Sequence, residues 1–373
     1  GNLAGISAYN AVRRMVPTNV VPVNGAPVVT MSEARNYNPD LRWETRGTFN
    51  VGAEAALWDN RLILTVAYYH AVTRDMLYEY EVPVPPFVYN KLLANNGTLS
   101  NDGWELGLGA SLLRTRDWGV DVNANLTVQR SRLRSLGGAC LGMQLTAPRI
   151  TPIGGMELGA GFHGGNNNVL YQIVGQPLGV FYLPKSTGLE LQPDGSRRYE
   201  IEDLDHNGRI NVEDGGDRYV AGQATPKVML GSNIAVRYKN WDLTMQINGA
   251  FGHKIFNATA LAYMNMTSFP DYNVMRGAPQ QNIKDQNVTD YWLEKGDYVN
   301  VDYITLGWNV PLRSRVIQGL RLSCSVNNPW TFTAYSGLTP MINSHVVNAT
   351  IGMDDKRSYP VYRTFSMGVN VQF

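Results

Sequence analysis

Charge is scarce in this 373-residue chain: Asp, Glu, Lys and Arg make up 17% of it, against about 25% in an ordinary soluble domain. The formal net charge is only +1, and Lys and Arg form no long cluster, so the chain lacks the basic field that would gather a phosphate backbone. Nucleic acid is therefore excluded as a partner. Cysteine is nearly absent: Cys140 and Cys324 are too few for a disulfide scaffold, and nothing beside either resembles a metal-ligand pair or redox motif. The five histidines, His70, His163, His206, His253 and His345, are scattered without ligand spacing. No Gly-x-Ser-x-Gly elbow and no phosphate-binding loop occurs. No active site is found, and the chain reads as a non-enzyme. Long apolar runs are missing too: no segment approaches the roughly 18 residues of a membrane-crossing helix, and Gly1-Asn2-Leu3-Ala4 carries no signal-peptide features. A membrane protein of this composition crosses with strands.

What is plentiful is glycine, 37 residues, and strict alternation of apolar with polar positions, the mark of a sheet with two unlike faces. Trp241, Leu243, Met245, Ile247, Gly249 and Phe251 interleave with Asp242, Thr244, Gln246, Asn248 and Ala250. Val120, Val122, Ala124, Leu126 and Val128 do so with Asp121, Asn123, Asn125, Thr127 and Gln129, and Phe365, Met367, Val369, Val371 and Phe373 close the chain in the same way. Alternation alone also fits a soluble sandwich. Connection lengths discriminate better. Nine strands are expected, at 42–57, 61–77, 103–113, 119–133, 226–238, 241–256, 297–311, 319–330 and 360–373. Short connections (58–60, 114–118, 239–240, 312–318) alternate with long ones (78–102, 134–225, 257–296, 331–359), as in outer-membrane barrels with short periplasmic turns and long outer loops. The fold expected is all-β, a transmembrane antiparallel β-barrel with long extracellular loops. An odd count leaves two unpaired edges, costly in lipid, so further strands are expected from chain outside residues 1–373. With Phe373 on the periplasmic side as an assembly signal, residues 1–41 lie outside the cell.

Asn38-Pro39-Asp40-Leu41-Arg42-Trp43-Glu44 resembles a segment of the SusC/RagA family of TonB-dependent transporters, as do the following Asn60-Arg61-Leu62 and Tyr68-Tyr69. Further similar segments follow in family order: Gly175-Gln176-Pro177-Leu178-Gly179, Trp292-Leu293-Glu294 with Tyr298, Ile304-Thr305-Leu306-Gly307, Tyr335-Ser336-Gly337-Leu338-Thr339-Pro340, and Tyr359-Pro360 through Phe373. Met341 departs from the acidic residue usual there. The resemblance implies the C-terminal part of a plugged barrel of about 22 strands, in the bacterial outer membrane, importing oligosaccharides or oligopeptides. It also implies a SusD-like surface lipoprotein as lid, and TonB coupling through a signal-peptide, TonB-box and plug region N-terminal to this segment.

Asp203-Leu204-Asp205-His206-Asn207-Gly208-Arg209-Ile210-Asn211-Val212-Glu213-Asp214 fits a twelve-residue calcium loop, with Asp in place of the usual last Glu. The expected ligands are Asp203, Asp205, Asn207, Arg209 through its carbonyl, Asn211 and Asp214, holding a structural Ca2+. The plain alternative is a metal-free surface turn. Outer-loop aromatics, Tyr78, Tyr80, Phe87, Tyr89, Tyr263, Phe269, Tyr272, Trp330 and Tyr335, can stack on sugar or peptide, or simply pack loops together. The first seven are the candidate cargo contacts. Tyr182, Trp292 and Trp308 are assigned to an interfacial girdle or to packing. A competing reading is a secreted, calcium-stabilised all-β binding protein or adhesin, in which the apolar faces would be buried against a second sheet. A β-rich hydrolase would need a carboxylate pair that the sequence does not reveal.

Overall fold

In a computed structural model of the chain, residues 10–159, 161–314, 316–342, 351–356 and 359–373 are described. Nine strands form one continuous antiparallel path: β1 (Thr45–Leu57), β2 (Leu62–Glu81), β3 (Lys91–Arg114), β4 (Trp118–Cys140), β5 (Val228–Tyr238), β6 (Trp241–Phe251), β7 (Tyr298–Asn309), β8 (Gly319–Thr333) and β9 (Thr364–Gln372). Each pairs with its sequence neighbour, which makes the path an up-and-down meander. The expected strands are all present. Boundaries differ at the outer ends: β2 and β3 run on to Glu81 and back from Lys91, so the connection between them is 82–90 rather than 78–102, β4 runs to Cys140 rather than 133, and β6 stops at Phe251 rather than 256. The apolar Tyr78, Tyr80, Leu92 and Ala94 continue the alternation beyond the level at which the other strands stop.

Register places the alternating residues on two opposite faces, because residues directly paired across an antiparallel ladder project to the same side. One face carries Val51, Tyr68, Trp104, Val128, Val228 and Phe251 in one row, and Ala55, Leu64, Leu108, Ala124, Ser232 and Ile247 in another. Leu243, Met245, Val369 and Val371 share that face. None of them belongs to a buried cluster, and Val369 is 69% exposed. The adhesin reading, which needs this face covered by a second sheet, is not what forms.

Aromatic rings border the apolar face. Near the short turns, Trp118, Tyr238, Trp241 and Trp308 are successive cross-strand partners, with Trp241 and Trp308 stacked at 5.2 Å. Nearer the long loops, Tyr68 and Trp104 meet at 5.0 Å. From Trp118 to Val128, the partner of Trp104, is about ten residues along β4, the length a tilted strand needs to cross the hydrocarbon. Of the two places expected for Trp308, girdle or packing, it takes the girdle.

Beyond the strands' far ends the long connections fold together. A four-stranded sheet orders Arg218–Gln223, Val180–Pro184, Asn168–Ile173 and Ile150–Gly155. Ser186–Leu191 and Arg197–Ile201 make a hairpin. Lys254–Asn257 joins Leu293–Lys295 and Met353–Asp354 in a small sheet. Phe162, Leu170, Phe181, Leu183, Phe256, Leu261, Ile283, Val288 and Met353 share one core, so three separate long connections pack into a single outer cap. Residues 334–363 include a stretch, with His345, that lies outside the described residues.

Candidate cargo-facing wall and outer cap

The face opposite the lipid-facing side chains is polar and cross-linked. Asn233 Nδ2 donates to Gln246 Oε1 at 3.1 Å. Asn248 donates to Asp302, which also accepts from Asn300 Nδ2 at 2.6 Å, and Asn300 Oδ1 accepts from Thr331 Oγ1 at 2.6 Å. Nearer the short turns Arg321 grips Asp242 with both nitrogens, Nη2 to Oδ2 at 2.7 Å, a fork that holds both side chains flat on the wall. Small residues make room. A Cβ at Gly307 would collide with Arg321 and Asp242, and one at Gly103 would strike the Tyr69 ring. Part of the glycine excess thus lets long polar side chains lie across neighbouring strands.

The family-like segments turn out to be clamps between the cap and the barrel rim. Asn38 donates through Nδ2 to Leu93 O at 3.0 Å and accepts Asp40 N on Oδ1 at 3.0 Å. Arg42 pairs with Asp75 at 2.6 Å, and Glu44 Oε1 accepts Leu77 N. Glu294 accepts from Asn257, Ser336 N and Ser336 Oγ, tying two connections to one carboxylate. Trp292 donates to Tyr199 Oη at 2.7 Å, placing it in packing as expected. Tyr182 is buried among Tyr171, Ile173 and Val180.

The acidic loop brings carboxylates together, but with Asp217 in the place expected for Asp214. Carboxylate oxygens of Asp203, Asp205 and Asp217 lie within 4.8 Å of one another. Asp214, expected as the twelfth-position ligand, is turned away: it accepts from Tyr171 and from Asn166 Nδ2 and lies 3.5 Å from Arg218. The cause is Arg218, whose buried guanidinium requires an anion. Asp217, buried, takes the inward place and receives Leu204 N at 2.8 Å and Asn211 N at 2.7 Å. Asn207 Oδ1 accepts Arg209 N, and Asn211 Oδ1 accepts Glu213 N, so both side chains cap the local turn. His206 at φ +58° and Gly208 at φ +77° turn the loop sharply. Desolvation pushes the Asp203 carboxyl up, but the N–H groups of Gly208 and Asn207 and the neighbouring Asp205 outweigh it and hold the group below the ordinary range.

The aromatic candidates divide. Tyr80 is buried with Val82, Leu92, Ala94 and Leu145, and Tyr78 and Phe87 pack against that cluster. These three stabilise the extended β2–β3 hairpin, and burial removes Tyr80 from any cargo contact. Tyr263 packs on the main cap core. Tyr89 is exposed but spends its hydroxyl on Glu33 O at 2.7 Å. Phe269 and Tyr272 remain exposed on one segment, Tyr272 beside His163 at 5.9 Å. Tyr335 is buried and donates to Asp354 Oδ2 at 2.7 Å.

Comparison with known proteins agrees with this architecture. The profile of the family described as "TonB dependent receptor-like, beta-barrel" matches residues 9–329. TonB-dependent receptor P3 of Formosa agariphila is 29% identical over 360 residues, covering 90% of this chain and 35% of the relative. TonB-dependent receptor SusC of Bacteroides thetaiotaomicron is 22% identical, covering 94% of this chain and 34% of the relative. Among solved structures, the RagAB peptide importer in its open-open state superposes with a TM-score of 0.73 at 19% identity, over 99% of this chain and 38% of that one. The chain thus spans about a third of the length of the curated relatives it matches.

Proposed function

Because the chain belongs to the TonB-dependent receptor-like β-barrel family, a family of outer-membrane barrels, we propose that it supplies part of the wall and outer cap of an active importer of large nutrients. The observation that carries this is the hydrogen-bonded polar surface from Asn233 through Gln246, Asn248, Asp302 and Asn300 to Thr331, backed by a lipid-facing apolar surface. A wall of fixed amides and hydroxyls can exchange hydrogen bonds with a passing polar chain while water fills the rest of the lumen. The unpaired outer edges of β1 and β9 are closed, in this reading, by strands from polypeptide outside these residues.

The cargo class is oligosaccharide or oligopeptide; RagAB, whose fold this chain shares, is a peptide importer. A SusD-like lipoprotein sits on the cap as a lid, and TonB supplies the energy. The test is uptake of labelled oligopeptides and oligosaccharides by cells carrying the full-length protein, with and without TonB. Replacing Gln246 and Asn248 by Ala is expected to slow import without reducing the amount of assembled barrel. Import that persists without TonB or an energised inner membrane would sink the proposal, as would wild-type rates in the double variant.

We also propose that the loop 203–217 holds a structural calcium ion. Three converging carboxylates supply the hard oxygen donors that calcium prefers, with Asp217 taking the role first expected of Asp214. The bound ion would neutralise like charges that otherwise repel.

A further inference from the structure

At the barrel rim, β5 begins at Val228 and β6 ends at Phe251, whereas β4 continues to Cys140. The exposed edge of β4 is attached below by Gln129 N to Lys227 O at 2.8 Å, and above by Leu133 N to Gln176 O and Gly175 N to Leu133 O. Between these attachments the wall has a gap, a cavity of about 730 Å³ bounded by the cap strand Arg218–Gln223 and the start of the Lys254–Asn257 strand.

Its lining is cationic. Arg130, Arg132, Lys227, Lys254 and Lys295 border it, with Asp297 as the one carboxylate. Asp297 accepts Gly252 N at 2.6 Å. Arg132 Nε donates to Gly175 O at 3.0 Å, which fixes its guanidinium and leaves further N–H groups free to donate. Ion pairs to Arg130, Lys227, Lys254 or Lys295 are absent among the described residues. His253 adds a second, independent sign. It is only 5% exposed, lines the same cavity, and its Nδ1 has no hydrogen-bond partner. A buried ring nitrogen left without a partner is costly unless a ligand or water completes it. Burial pushes the imidazole pKa down, opposed by Asp297.

Depth indicates the ligand. Arg130 is the direct cross-strand partner of Asp102, and this pair lies two residues further outward, on the same face, than the Trp104–Val128 pair of the aromatic border. Arg130 therefore projects from the lipid-facing side immediately above the hydrocarbon, where headgroup phosphates lie. We propose that this gap is an anion site that takes a phosphate group carried on an outer-leaflet lipid headgroup, with Arg130 and Arg132 reaching it from the lipid side and Lys227 and Lys254 from the cavity. Asp102 forms no ion pair with Arg130; its Oδ1 is instead hydrogen-bonded with His70 Nδ1 at 2.5 Å.

The experiment uses the full-length protein in detergent, with native mass spectrometry counting retained lipid after mixing with phosphatidic acid or phosphatidylcholine. Selective retention of phosphatidic acid is expected, weakened about fivefold for each positive charge removed, as in Arg130→Gln combined with Lys227→Gln. The charge-preserving pair Arg130→Lys and Lys227→Arg should retain the lipid, and millimolar inorganic phosphate should displace it. Equal retention of the two lipids by the native protein overturns the proposal. So does undiminished retention by the double Gln variant with its barrel resistant to denaturation in cold detergent. Binding of inorganic phosphate without lipid selectivity overturns the assignment to a headgroup.

Discussion

Single side chains decide how the cap is held. Three buried or half-buried phenols donate to carboxylates: Tyr171 to Asp214, Tyr219 to Asp290 at 2.6 Å and Tyr335 to Asp354 at 2.7 Å. Desolvation first, and then each carboxylate, pushes these phenol pKa values up. A raised folded-state value contributes stability that is complete below the unfolded value of about 10 and falls as pH rises through and beyond it. The cap is expected to become protease-sensitive above about pH 10 while the barrel persists, and Tyr335→Phe should blunt that transition. The same substitution leaves buried Asp354 short of a donor and should cost about 1–3 kcal/mol near neutral pH. Protease mapping across pH 7–11 checks both. In the acidic loop, calcium is expected to protect residues 200–216 from proteolysis. Asp217→Ala and Asp203→Ala should abolish the protection, and Asp214→Ala should preserve much of it, because only the first two carboxylates converge. Calorimetry without a calcium signal at millimolar ion on the folded protein would refute the site.

Within an element the two faces obey different solvents. Met245 lies midway between the Trp241 and Phe251 ends of β6 on the apolar face, and Thr244 lies beside it on the polar one. Met245→Arg is expected to destabilise the barrel by about 2–4 kcal/mol, the cost of a cation at mid-membrane. Thr244→Arg should cost far less, because its charge enters a watery lumen. Unfolding from lipid vesicles in denaturant separates the two, and equal costs would mean that the faces are misassigned. The girdle ladder Trp118, Tyr238, Trp241 and Trp308 fixes the same element's depth, since each ring places an apolar body and a polar N–H or O–H at the interface.

At the scale of the molecule, cap and barrel are built on different principles. The barrel strands draw on continuous hydrogen-bonded ladders and lipid, whereas the cap has its own buried core drawn from three connections. Shortening the connection 257–296 removes Leu261, Ala262, Ile283 and Val288 from that core, so the cap should loosen as a unit, including residues 150–224 on a different connection. Heat-modifiable migration of the barrel is expected to survive, while proteolysis at 150–224 increases and binding of the proposed SusD-like lid falls. A cap that stays resistant outside the deletion would show that the connections fold separately.

The nine strands, their two faces, and the short turns with three of the four long connections were legible in the sequence, because a period of two and the turn chemistry are local properties; the fourth, between β2 and β3, shrinks to 82–90. For Trp308 the sequence left girdle and packing open, and its pairing with Trp241 decided for the girdle. The hidden sheet within 134–225 was not: its strands are short and its burial is supplied by residues such as Phe256 and Met353, distant in sequence. Tyr80 reads as a loop aromatic until β2 and β3 are seen to extend past the rim and bury it. The exchange of Asp214 for Asp217 turns on Arg218, whose burial is a tertiary fact and commits the nearer carboxylate to charge neutralisation. The cationic gap depends on β5 and β6 stopping short of β4, and on the cap closing over it. Periodicity therefore determined the sheet and its solvents, while tertiary packing decided which polar groups remain free to meet a ligand, since that depends on what each one's neighbours already satisfy.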